Sequence, residues 1–228
     1  MQTSSKTMQT VSSKAVGWVS IAMFVMWLFA GVTGIVQATV FADFSDQFVP
    51  AIIHANILAA SVGWLSQITL GTAAVALAVM FSYYLATPLT MKLRFALVAG
   101  VTAGIFLVAA GAGGQENILT SVFYSPEQAS QLSSAMGTPD LTVINAANNL
   151  VAGGLRSTSA YAMGWAVILW SLTALQAKKF PIALNWIGIV TGVLFALTVW
   201  IGPVTGLPSF LGFLVWHLWL GIILVRSK

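Results

Sequence analysis

The chain predicts an all-α, polytopic transmembrane helical bundle of six spans with both termini cytoplasmic, and three observations carry that fold class. Of 228 residues, 58% are hydrophobic and 6% charged, with a mean hydropathy of +0.93, whereas about a quarter of the residues in an average soluble chain carry charge. Six stretches reach the roughly 17 uncharged, apolar residues that a helix needs to cross about 30 Å of hydrocarbon. The charges between those stretches separate by sign when the stretches are threaded up and down. With the N-terminus inside, Lys6, Lys14, Lys92, Arg94, Lys178, Lys179, Arg226 and Lys228 fall on the cytoplasmic side, and Asp43, Asp46, Glu116, Glu127 and Asp140 fall outside. One span missed or invented would destroy that segregation. Nine Lys and Arg with five Asp and Glu are too few to coat a soluble domain, which excludes a soluble enzyme, a DNA-binding module and a disordered scaffold.

The elements follow in order. Residues 1–14 form a polar cytoplasmic tail, and residues 15–228 a single transmembrane domain with an outer loop at about 114–140. The first span, Ala15–Val40, is longer than the roughly 7–15 apolar residues of a secretory signal and is expected to stay attached. The second is placed at about Ala59–Leu85, after a lead-in helix or outer extension over Gln47–Leu58, because Pro50 and Pro88 mark ends. The third is Phe95–Gly113. In the outer loop, Ser125-Pro126-Glu127-Gln128 reads as a helix start, so a short surface helix is expected over about Pro126–Met136. Asp140 reads as the cap of a helix that continues through Asn145, Asn149 and Arg156 and ends at Gln176 before Lys178 and Lys179. The fifth span is Ile182–Ile201 and the sixth Ser209–Val225, with Gly202-Pro203 and Leu207-Pro208 bounding a short turn.

Small residues at Gly100-x-x-x-Gly104 and Gly188-x-x-x-Gly192 let helix backbones approach, either within the bundle or against a protein partner. Trp18, Trp186 and Trp200 lie near span ends and fit interfacial anchoring. No inverted repeat of the kind found in secondary transporters is legible.

Arg156 is the one base on the acidic side. It lies 20 residues from Gln176, about 30 Å along a helix, which puts it at the outer hydrocarbon boundary. One reading is a snorkelling side chain or an ion pair with an outer acid such as Glu116. A second is an anion or headgroup clamp in an outward-opening pocket, in which Arg156 acts with Asn149 and Asn145, and a third is disordered exposure. Glu116, Gln67 and Tyr161 complete the candidate ligand-binding set. His217 sits about 12 Å below the outer start of the sixth span and is the one ordinary titrating side chain near mid-depth, so it is the candidate for proton-linked chemistry. His54 precedes the second span and is expected at or above the outer surface. That difference in depth argues against both histidines ligating one haem iron.

Other chemistries lack their residues. There is no cysteine, hence no thiolate catalysis or iron–sulfur cluster. No span core holds a lysine for a retinal Schiff base or an acid for a proton relay, and no H-E-x-x-H or G-x-S-x-G motif occurs. No metal site and no cofactor are expected. The bases are scattered rather than clustered, so nucleic acid is not expected as a partner. Membrane lipids, a small hydrophobic ligand and a protein partner are.

The late segment Ser159-Ala160-Tyr161-Ala162-Met163-Gly164-Trp165, followed by Phe180-Pro181-Ile182-Ala183-Leu184-Asn185-Trp186-Ile187-Gly188, carries a resemblance. So do Ala30-Gly31-Val32-Thr33-Gly34-Ile35 and Ala55-Asn56-Ile57-Leu58. In these features and in size the chain resembles the bacterial membrane-protein family of unknown function numbered 4386. It departs from that pattern at Gly153-Gly154-Leu155-Arg156, where family members often carry polar or histidine-containing sequence. The resemblance implies about six helices and no particular activity. Three roles stay open: a bacterial inner-membrane protein that binds or moves a small amphiphile or lipid at an outward pocket, a structural or accessory subunit, and a membrane-embedded redox or proton-linked enzyme using His217.

Overall fold

The computed structural model describes residues 11–42, 57–86, 88–123, 131, 134, 141–201 and 203–227. The described residues form six long helices and no strands: α1 (Ser13–Ala42), α2 (Ile57–Leu85), α3 (Met91–Phe123), α4 (Leu141–Gln176), α5 (Ile182–Ile201) and α6 (Pro203–Arg226). Each contains a segment long and apolar enough to cross a membrane.

The helix ends follow local chemistry. Thr90 caps α3, its Oγ1 accepting from the Leu93 amide and its carbonyl from the Arg94 amide. At the other end of α4, Lys178 takes a left-handed φ of 51°. Its amide donates to the Leu175 carbonyl and that of Lys179 to the Ala174 carbonyl. This is a Schellman closure with lysine where glycine is usual, and the two ammonium groups lie at the negative end of the helix dipole. Pro181 then prevents the helix from resuming, and α5 starts at Ile182.

Three boundaries differ from the sequence expectation. α3 begins at Met91 rather than Phe95 and continues past Gly113 to Phe123, so residues 114–123 of the expected outer loop are helical. α3 has 33 residues and α4 has 36, about 50 and 54 Å long, against about 30 Å of hydrocarbon. A search for uncharged runs finds the membrane's thickness, whereas these helices continue beyond it. The expected turn through Leu207-Pro208 is absent, because α6 starts at Pro203 and carries Pro208 inside it. Pro203 is suited to the first helical position, and Pro208 is still close enough to the start to cost little more than one hydrogen bond. There the Ser209 hydroxyl donates to the Gly206 carbonyl, and the Thr205 hydroxyl donates to Thr198 of α5. The lead-in helix expected over Gln47–Leu58 lies outside the described residues except for Ile57 and Leu58, which begin α2. The surface helix expected over Pro126–Met136 lies outside them except for Gln131 and Ser134, both helical.

Each helix packs on the next in sequence and α6 returns to α1, which closes a ring; α2 also approaches α4 across it. The described ends of the chain lie together, the Ser227 hydroxyl donating to Ser13 at 2.8 Å. Three seams of the ring are set by facing glycines. A Cβ on Gly104 would lie 2.6 Å from the Gly71 carbonyl oxygen, one on Gly192 2.7 Å from that of Gly164, and one on Gly221 3.0 Å from that of Gly17. Gly100 faces Ala78 and Trp170, and Gly188 faces Ser171 and Trp216. The glycines singled out in the sequence therefore pack against helices of the same chain.

Large rings fill the middle of the ring of helices. Phe81 of α2 meets Trp170 of α4 and Trp216 of α6 edge-on, at 5.6 and 6.0 Å between centroids. The Trp170 indole donates to the Ser82 hydroxyl at 2.9 Å, so the buried N–H is satisfied. Apolar side chains such as Val25, Phe29, Val98, Ile105, Val190 and Leu211 face outward, as expected for helices whose outer face meets lipid. Trp18, Trp186 and Trp200 are also exposed.

Candidate functional site

A cavity of about 250 Å³ opens between the first five helices, in the half of the bundle away from the termini. Four of its lining residues, Arg156, Ser159, Ala160 and Met163, come from α4. Their spacing of three, four and seven residues puts them on one helical face. Met23, Trp27 and Ala30 line it from α1, Gln67, Leu70 and Ala74 from α2, Leu107 from α3 and Phe195 from α5. The wall is mainly apolar, with two flexible thioethers able to adapt to shape.

The polar groups are few and fall into two kinds. Ser159 is already engaged, its hydroxyl donating to the Ala103 carbonyl of α3 at 2.7 Å. Arg156 lines the cavity yet stays exposed, its Nε donating to the Ala152 carbonyl one turn back at 3.3 Å. Gln67 Oε1 and Trp27 Nε1 are different: both atoms are buried and neither has a hydrogen-bond partner among the described residues. Both atoms have essentially no accessible surface, and leaving each unmet costs about 1–3 kcal/mol.

The structure brings two residues of the expected set together, Arg156 and Gln67, on helices far apart in sequence. Tyr161 does not join them. It is 40% exposed and rests edge-on against Trp165, because it falls off the face that Arg156, Ser159, Ala160 and Met163 define. Glu116 lies on α3, and Asn145 and Asn149 on α4, but their side chains are outside the described residues, as is all of His54. Trp27 is the residue that sequence reasoning missed. Its one available signal was position, since it lies mid-span rather than at a span end where interfacial tryptophans collect.

His217 belongs to a separate place. It is fully buried on α6 between the rings of Phe213 and Trp216. The Ser20 hydroxyl of α1 donates to the His217 carbonyl at 2.9 Å and lies 3.4 Å from Nδ1, while Nε2 is buried without a partner among the described residues. Phe213 packs on both Trp27 and Phe195, so aromatic rings stand between the histidine and the cavity. Among the described residues no three His, Asp or Glu side chains gather as a metal site would require.

At the termini end, the Lys179 ammonium donates to the Tyr84 carbonyl at 2.8 Å and lies 4.8 Å from the centre of that residue's ring. Burial there lowers its pKa from the ordinary lysine value. Lys92 donates to Gln176 at 3.2 Å. These contacts join the α2–α3 and α4–α5 turns on the basic side of the molecule. No family model matches the chain, and neither a curated protein nor a solved structure shows a significant similarity to it.

Proposed function

We propose that this chain is a multi-pass protein of the bacterial inner membrane, with cytoplasmic termini, whose cavity opens outward and binds or moves a small amphiphile. The integral-membrane character rests on six apolar helices. The orientation rests on the basic residues at the termini end. The family resemblance contributes no chemistry, and no enzymatic step, cofactor or protein partner is needed for this role.

One observation carries the ligand: a cavity of about 250 Å³ with mainly apolar walls drawn from five helices and the polar residues Gln67, Arg156 and Ser159 among its lining. A concave apolar site with a few convergent polar groups is what small-molecule binding requires. Isothermal titration of the protein in nanodiscs with octanoate, an amphiphile with one carboxylate, tests it. Saturable binding that disappears in Ala160→Phe, where a ring fills the cavity, is the expected result. Equal heats for the two proteins would overturn the proposal.

A further inference from the structure

We infer that a second site, separate from the cavity, holds the phosphate of an anionic phospholipid between Lys92 and Lys178 at the end of α4, with an acyl chain of that lipid lying along the outer face of α4.

The positive charge at this end has no answer in the nearby chain. No Asp or Glu occurs in residues 47–115 or 141–228, and the next acid along α3, Glu116, is 24 residues from Lys92, about 36 Å away along the helix. Lys179 is engaged by the Tyr84 carbonyl and ring. Lys92 gives one N–H to Gln176 Oε1 at 3.2 Å and, as an ammonium group with three donors, keeps two. Because Oε1 accepts that bond, the amide nitrogen of Gln176 is a further donor beside it. Lys178 is exposed, and no hydrogen bond or ion pair engages its side chain among the described residues. It holds a left-handed φ where glycine is the usual residue, so the turn itself does not call for lysine.

Below these donors runs an apolar strip. Trp165, Leu172 and Gln176 are spaced at seven and four residues and share one face of α4; Trp165 and Gln176 are exposed and Leu172 is half-buried. From Gln176 to Trp165 is 11 residues, about 16 Å along the helix, which is half of roughly 30 Å of hydrocarbon and therefore the depth of one leaflet. The helices α3 and α5 both pack on α4 and add the exposed side chains Phe95 and Ile182 near the same end. A soluble anion would use the lysines and leave the strip unused, whereas an anionic phospholipid uses both. Basic groups between helices on the cytoplasmic side suit such headgroups.

Native mass spectrometry of the full chain in detergent, titrated with phosphatidylglycerol or with phosphatidylcholine of the same acyl chains, reads the first lipid bound. Each lysine beside an anionic headgroup is worth about fivefold, so the wild type is expected to favour phosphatidylglycerol by about twentyfold. Lys178→Gly installs the residue that a left-handed position favours and so keeps the fold; it is expected to cut the preference to about fivefold, and Lys92→Gln added to it to about twofold or less. Lys14→Gln with Arg226→Gln removes two other bases and is expected to leave the preference within about twofold of the wild type. Excess inorganic phosphate is expected to leave the bound lipid in place. Equal binding of the two lipids by the wild type, a preference that survives Lys178→Gly with Lys92→Gln, or one that falls equally with Lys14→Gln and Arg226→Gln would overturn the site. Displacement by inorganic phosphate would overturn the lipid as its occupant.

Discussion

Replacing Gly192 with alanine puts a methyl group into the seam between α4 and α5, where the new carbon would lie 2.7 Å from both the Gly164 carbonyl oxygen and Ile168 Cγ1. Ordinary contact needs about 3.5 Å, so the helices must part by nearly 1 Å. The carbonyl is backbone and cannot rotate aside. Overpacking of this kind costs about 1–3 kcal/mol, and the rigid neighbour places Gly192→Ala in the upper part of that range. Alanine's better helix propensity returns about 1 kcal/mol, which leaves a net loss of about 1–2 kcal/mol. Gly153→Ala is the control, since a Cβ there meets nothing within 4 Å and should gain up to about 1 kcal/mol from propensity alone. Equilibrium unfolding by sodium dodecyl sulfate in mixed micelles, followed by circular dichroism, reads both. Adding Gly164→Ala to Gly192→Ala should cost less than the sum of the single changes, because the first methyl has already parted the seam. If Gly192→Ala proves as stable as Gly153→Ala, close glycine packing does not hold this seam and the reasoning fails.

Other outcomes follow from the same structure. Ser20→Ala removes the α1 hydroxyl bonded to the His217 carbonyl and should destabilise by about 0.5–1.5 kcal/mol in the same unfolding assay. His217→Leu replaces a buried ring nitrogen that lacks a partner with apolar bulk, a change that should be near neutral for stability. It should leave octanoate affinity within twofold; a tenfold loss would place the histidine in the binding machinery. The chain has no cysteine, so single cysteines report topology directly. A membrane-impermeant maleimide should label Ser134→Cys but not Ser227→Cys in intact spheroplasts, and the reverse pattern would invert the proposed orientation.

The helices were more legible than their ends. α5 matched residue for residue because Pro181 and Gly202-Pro203 bracket it, and proline chemistry is local. α3 was misjudged at both ends because Thr90, its cap, lies outside the uncharged run, and Glu116 lies on helix that continues past the hydrocarbon. The cavity is a tertiary product. Arg156 and Gln67 stood out as polar residues in apolar surroundings, yet their meeting depends on how α2 and α4 rotate in the ring. Met23 and Phe195 carried no signal, since apolar residues surround these helices on every side and leave no periodicity to show which face turns inward. Tyr161 could have been set aside from the sequence, because taking Arg156 as the phase marker puts it off the shared face.

The central claim is that the cavity bounded by Trp27, Gln67 and Arg156 is a ligand site, and native mass spectrometry of the protein released from mild detergent tests it most directly. The expected result is wild-type protein carrying a bound species of roughly 150 Da, the mass of an amphiphile of about ten non-hydrogen atoms, that is missing from Ala160→Phe. Wild-type protein without such a species, or the same species on both proteins, would contradict it.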